Sequence, residues 1–365
     1  MFLLGFHVLC VSAFTKGSGP PFVAGLHLAM ISNKLYSFGG GDVTGSVYNF
    51  LFSFDTSSNT WSPKVTNGEI PEPRCDHGFT SAQGGKLFAF GGRAFFPSMI
   101  YGDMFVFDTI ANSWSKIEAS GPTPSARYSM GFTSTPDGQV YVFGGTDGSV
   151  ELGDLYKYDP STNSWNSIVT TGFSPSPRSR MGFAAVPDGK IFMFGGASSN
   201  TPSDNLADFA CFDPVSGTWT SISPSGPLPA ARMELGLTST ADGKLYLFGG
   251  QSSIVYDYGD FWQFDPAANS WSQVIVPGSP SARQAFGFAS SRDGMIFVYG
   301  GYYYDQYRYL GDFYRFDSVS MEWVDCNLPT VQSCVSCPPG YYYNSSGLNA
   351  NTCLNLSQSC YLSLS

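Results

Sequence analysis

Five arginines and five aspartates keep step with one another along the chain. Arg74, Arg127, Arg178, Arg232 and Arg283 each stand seventeen residues before the first glycine of a Gly-Gly pair, and Asp103, Asp154, Asp208, Asp260 and Asp312 follow the pair. They are present together five times and absent together once, where Phe22 and Phe50 stand instead. A guanidinium and a carboxylate in such lockstep read as partners in an ion pair. Other reactive side chains are scarce. The chain holds three histidines, and only His27 and His77 fall in the repeated region, with Cys75 near the second. No Gly-x-Ser-x-Gly elbow and no histidine cluster at metal-ligand spacing occurs. Five of the eight cysteines crowd into the last forty residues: Cys326, Cys334, Cys337, Cys353 and Cys360.

The elements that position the Arg and Asp residues are repeated too. KLYSFGG ends at Gly40, KLFAFGG at Gly92, QVYVFGG at Gly145, KIFMFGG at Gly196, KLYLFGG at Gly250 and MIFVYGG at Gly301, with steps of 52, 53, 51, 54 and 51 residues. About twenty residues after each pair comes a Trp: Trp61, Trp114, Trp165, Trp219, Trp271 and Trp323. An aromatic-Asp pair precedes each Trp, from Phe54-Asp55 to Phe316-Asp317. Each unit reads as four short strands, a to d. In the third unit, a runs from Tyr128 to Thr135, b from Gln139 to Phe143 and c from Asp154 to Tyr158, and Trp165 opens d. Asp-Gly marks the a–b turn, where glycine supplies the positive φ of a tight hairpin. Strand b is apolar on both faces, as a strand between stacked sheets must be.

The in-phase Arg, Gly-Gly, aromatic-Asp and Trp resemble the kelch repeat over residues 22 to 325. The resemblance implies an all-β, six-bladed propeller over residues 16–326, each blade running a-b-c-d. No blade borrows a strand in this reading, so ring closure is expected from side-chain packing between blades 1 and 6. The Arg opens a, the Gly-Gly closes b and the Asp opens c on one face of the disc. The glycines are expected to clear space for the Arg–Asp bridge. In some kelch proteins arginines at the start of the inner strand line the channel mouth and bind acidic peptides; the constant Asp partner weighs against that here. Arg180, outside the repeat, is the candidate spare charge. His77 is expected to cap strand a.

The a–b and c–d turns are uniform and form one tight face, whereas the b–c loops differ from unit to unit. Ligand contact is therefore expected on the b–c loops: Phe95 and Phe96 in the second, Tyr256 and Tyr258 in the fifth, and Tyr302, Tyr303, Tyr304, Tyr307 and Tyr309 in the sixth. Tyrosine gives large amphipathic contact area at low entropy cost. The junction of blades 6 and 1, with Tyr303, Tyr304 and Tyr307 as anchors, is the expected principal contact. The enzymes among kelch-like propellers need residues not found here. Galactose oxidase needs two copper-binding histidines with a Tyr–Cys crosslink, and plant specifier proteins use Glu-x3-Asp-x3-His, which is absent. The six-bladed sialidases use an arginine triad that does not follow a repeat. No cofactor and no catalysis are expected.

The net charge of −10 argues against nucleic acid and anionic membranes. No apolar run approaches the ~20 residues that span a bilayer. Residues 1–15 read either as a signal peptide or as a leftover strand. In the tail, residues 327–365, Cys334-Val-Ser-Cys337-Pro-Pro-Gly-Tyr-Tyr resembles the start of an ephrin-receptor-like or growth-factor-receptor-like cysteine-rich module. That implies disulfides among Cys334, Cys337, Cys353 and Cys360, in any of three pairings, rather than zinc. Sequons occur only there, at Asn344 and Asn355. Cysteine density and sequons point to an oxidising compartment, and the chain is expected to continue in a longer protein. The arrangement is similar to attractin-like proteins. The expected function is extracellular recognition of a protein or glycan; the alternatives are an intracellular kelch scaffold and a galactose-oxidase-type enzyme.

Overall fold

A computed structural model describes residues 19–199 and 204–327, together with the backbone of 341–344 and 352–355. Six antiparallel sheets follow one another along the chain, each built in the order a-b-c-d. The innermost strands are His27–Ile31, Gly78–Ala82, Gly131–Ser134, Gly182–Ala185, Gly236–Ser239 and Gly287–Ser290. Each packs against the inner strands of both neighbours, and the first packs against the last. Among the described residues there is no α-helix, only 3-10 turns at Gln83–Gly85 and Tyr304–Gln306. A two-stranded hairpin, Tyr341–Asn344 with Thr352–Asn355, lies in the tail.

The core is divided into six apolar clusters, one at each interface between adjacent blades. The periodic Trp has its place in them. Trp114 of blade 2 lies 4.9 Å from Phe38 of blade 1, and Trp61 of blade 1 lies 5.4 Å from Tyr299 of blade 6. Each indole seals its own outer strand against the preceding blade, and burying such a ring gives the large hydrophobic gain that a thin blade needs. The linkers between blades add a further contact. Asn67–Gly68 pairs in parallel with Ser113–Trp114, and Thr171–Gly172 with Thr218–Trp219. A Cβ on Gly68 would lie 2.0 Å from the Trp114 carbonyl, and one on Gly121 2.3 Å from the Trp165 carbonyl, which explains the glycine at these two linkers.

The Gly-Gly pair joins blades rather than clearing room for the guanidinium. Both glycines have positive φ in all six blades. The second donates its N–H to the carbonyl of the neighbouring blade's arginine, as in Gly40 to Arg74 at 3.0 Å and Gly250 to Arg283 at 2.9 Å. A Cβ on the first would come within 2.5–2.8 Å of that same carbonyl. The space left open is therefore for the adjacent chain. Gly301 makes the same bond to Val23, at 2.9 Å, so Val23 and not Phe22 is the blade 1 counterpart of the arginines. The a–b turn of blade 1 is one residue shorter than in the other blades, four residues between Met30 and Leu35 against five between Ser134 and Val140, and this displaces the seventeen-residue spacing. Val23 is fully buried in the apolar cluster against which Phe50 also packs, while Phe22 is 68% exposed. An apolar pair thus replaces the ion pair in blade 1.

Ring closure rests on main-chain bonds as well as side chains. Two residues after each arginine position stand Gly25, Asp76, Ser129, Arg180, Glu234 and Ala285, all with φ between 52° and 65°. The N–H of each bonds the carbonyl of the one before, at 2.8–3.2 Å, and Gly25 bonds Ala285. The six bonds form a closed hoop around the channel.

Candidate functional site

The five repeat arginines are committed inside the blades. Arg232 is 0% exposed. Its Nε donates to the Ala230 carbonyl at 3.0 Å, its Nη1 to the Gly249 carbonyl at 3.1 Å and to Asp260 Oδ1 at 2.5 Å, and its Nη2 to Asp260 Oδ2 at 2.8 Å. Arg74 with Asp103, Arg127 with Asp154, Arg178 with Asp208 and Arg283 with Asp312 repeat the geometry at 2.5–2.6 Å. Buried in a bidentate pair, with at least four of its five N–H donors bonded, each guanidinium is closed to a ligand. An acidic-peptide ring of arginines is therefore ruled out.

The hoop places a second set of charges at the channel mouth. Asp76 pairs with Arg93 at 2.7 Å, and Arg180 with Glu234 at 3.4 Å, so Arg180 is not a spare charge. Gln251 also donates to Glu234 at 3.2 Å. Glu151, on the b–c loop of blade 3, has both carboxylate oxygens enclosed and without a hydrogen-bond partner. Burial pushes its pKa up, against the Ser179 hydroxyl and the Arg180 charge nearby. Sequence reasoning passed over Asp76, Arg93, Glu151 and Glu234. A signal did exist for two of them, since a residue two positions after each repeat arginine must face the axis.

The b–c loops divide the expected contact residues into two groups. Tyr258 belongs to the blade, not the ligand face: its ring lies 3.8 Å from the Arg232 guanidinium, as Tyr101 lies 4.3 Å from Arg74. Tyr304 stacks on Tyr256 at 4.6 Å and 15°, and Tyr307 leans on Tyr304 at 5.3 Å. Asp257 accepts from the Tyr304 N–H and from Gln284. The sixth loop therefore leans on blade 5, and the cluster sits at the junction of blades 5 and 6, not of 6 and 1. Tyr302 packs with Tyr309, 5.2 Å away, and both are partly buried. Tyr303 is partly buried beside Asp305. In the second loop Phe96 is 83% exposed and closes over Gly45 of blade 1, while Phe95 is 37% exposed near Gly41. Tyr307 and Tyr256 keep 69% and 54% of their surface exposed.

The opposite face is less uniform than its turns suggest. A groove of about 1070 Å³ opens between the lower edges of blades 4 and 5, lined by Phe192, Phe264, Ile222 and Cys211 with Lys190 and Lys244. The c–d turns themselves are regular, each Asp accepting N–H bonds from its own turn, as Asp265 does from Ala267 and Ala268.

His77 does not cap its strand. Neither ring nitrogen has a hydrogen-bond partner, and the ring is wedged between His27, at 5.2 Å, and Phe38, at 5.1 Å. Other blades place Leu26, Met130 or Met181 against the same glycines. Burial lowers the pKa of both imidazoles, that of His27 to about 4. The unfolded chain therefore binds protons that the folded one refuses between about pH 6.5 and 4. Stability is full above that window and falls as the pH drops through it. His27 keeps some solvent contact, which limits its share to roughly 2 kcal/mol. Expected in thermal melts is a loss between pH 7 and 4.5 that is smaller in His77→Met; equal losses in both proteins would contradict this.

Among the described residues, no three His, Cys, Asp or Glu side chains gather for a metal ion. No helix of the described residues is long and apolar enough to cross a membrane. Among the described residues, Cys75, Cys211 and Cys326 form no disulfide. The expected disulfides and the leader segment lie outside the described residues; only the backbone is described at Cys353, Asn344 and Asn355.

The family described as KLHDC2/KLHL20/DRC7 Kelch-repeats domain matches residues 8–137 and 137–339. Among curated proteins, an N-(sulfonatooxy)prop-2-enimidothioate sulfolyase of Thlaspi arvense is 29% identical over 258 residues, 65% of this chain and 72% of that protein. Kelch domain-containing protein 3 of Bos taurus is 27% identical over 250 residues, 65% of this chain and 64% of its own. Rab9 effector protein with kelch motifs of Xenopus laevis is 26% identical over 204 residues, 54% of this chain and 55% of its own. The chain thus spans under two thirds of the last two.

Proposed function

Because the chain belongs to the kelch-repeat family, we propose that it is a non-catalytic binding module that holds a protein partner on its b–c loop face. One observation carries this reading. The loops of blades 2, 5 and 6 present Phe96, Tyr256 and Tyr307 to solvent, while the blade arginines are consumed internally. Exposed aromatic surface costs solubility and is kept where a partner covers it. The variable loops ride on a hoop of main-chain bonds, so they can differ without disturbing the disc. Changing Tyr256 and Tyr307 together to Ser should leave the melting temperature within a degree or two and abolish capture of the partner. A large fall in melting temperature would make the rings closure residues and sink the proposal.

The setting we propose is extracellular or at the cell surface, on the strength of the tail's CxxCPPGYY run and its sequons at Asn344 and Asn355. An intracellular kelch adaptor is the alternative, and the Rab9 effector relative favours it by name. A mobility shift on glycosidase treatment of the natural protein supports the first. Unmodified asparagines and reduced tail cysteines establish the second.

A further inference from the structure

The b–c face carries a marked excess of negative charge. Apart from the five blade ion pairs, its loops and the starts of strand a hold eight carboxylates against three guanidiniums, Arg93, Arg180 and Arg308. Two of the three are already engaged, Arg93 by Asp76 and Arg180 by Glu234. Glu151 is an enclosed carboxylate with no hydrogen bond to either oxygen. Its oxygens are closed to solvent, so it adds to the negative field of the face without itself being open to a partner. At blades 5 and 6 the exposed rings of Tyr256 and Tyr307 flank Tyr304, with exposed Asp305 beside them and Asp257 beneath. Ring faces are electron-rich, so an aromatic group edged by carboxylates attracts a cation.

We propose that the partner on this face presents a basic segment. It seats a lysine or arginine side chain on the Tyr256–Tyr304–Tyr307 cluster beside Asp305. The proposal rests on the b–c face being the binding face. It selects a basic protein segment over an acidic one because the blade arginines are buried and paired with aspartates.

The test uses the full chain and three labelled peptides of one backbone, carrying lysine and arginine, glutamate, or glutamine at the same positions, read by fluorescence anisotropy. The basic peptide should bind, and more weakly as salt rises. Tyr307→Ser combined with Asp305→Asn should weaken it about tenfold without a change in melting temperature. Failure of the basic peptide to bind overturns the inference. So does equal binding of the glutamate or glutamine peptide; if that binding is lost in Tyr256→Ser with Tyr307→Ser, the b–c face still stands as the binding face. Binding of the basic peptide that no b–c variant alters overturns both readings.

Discussion

Arg232→Ala should destabilise the protein by about 3–5 kcal/mol, the largest effect expected of any single truncation here. The change removes a fully buried guanidinium and four hydrogen bonds, and leaves Asp260 only 21% exposed and without its counter-charge. Burial alone would raise the Asp260 pKa; Arg232, with the Trp262 indole, outweighs burial and holds the carboxyl below its usual range. That contribution is present above the unfolded carboxylate pKa and is lost as pH falls through the lower folded value. The wild type should therefore lose this part of its stability in acid, and Arg232→Ala has none of it to lose. Denaturant melts at pH 7 and at pH 3 measure both. A loss below about 1 kcal/mol at pH 7 would place the pair among surface ion pairs of little value. Blade 1 shows that the pair is replaceable, since Val23 and Phe50 stand in its place in one apolar cluster.

Gly249→Ala should come second, at roughly 3 kcal/mol, against roughly 1 kcal/mol for Gly243→Ala. Both glycines have positive φ, 64° and 83°. They differ in what a Cβ would meet. At Gly249 it would lie 2.6 Å from the Arg283 carbonyl of the next blade and 2.8 Å from the Phe286 ring; at Gly243 nothing lies within 4 Å. Relief of the clash pulls Gly250 away from that carbonyl and breaks a bond between blades. Comparing denaturation midpoints of the two variants isolates the inter-blade contribution from the backbone cost. Equal effects would mean that positive φ alone explains the pair.

Much of the architecture was legible because it is written six times. A residue type that returns every fifty-odd positions is constrained by the same local surroundings each time, so the Gly-Gly, the Trp and the Arg–Asp pairs could be placed without coordinates. The errors fell where one copy departs from the others. The a–b turn of blade 1 is one residue short, so counting back seventeen from its Gly-Gly lands on Phe22 and not on Val23. Tyr258 was grouped with the loop tyrosines although it stacks on Arg232, because a tyrosine on a blade and one on a loop look the same in one dimension.

The sequence by itself determined the number of blades, the order of strands within each and which side chains pair inside a blade. These depend on contacts between residues a few tens of positions apart, whose spacing is constant. Only the tertiary structure decided what lies between blades: that the glycines face a neighbour's carbonyl, that six main-chain bonds close a hoop from Ala285 to Gly25, and that the sixth loop leans on the fifth. It also brought Asp76, Arg93, Glu151, Arg180 and Glu234 to one mouth. Their nearness is set by the curvature of the disc, which brings one short segment of every blade to the axis, and no spacing along the chain encodes which side chains then meet.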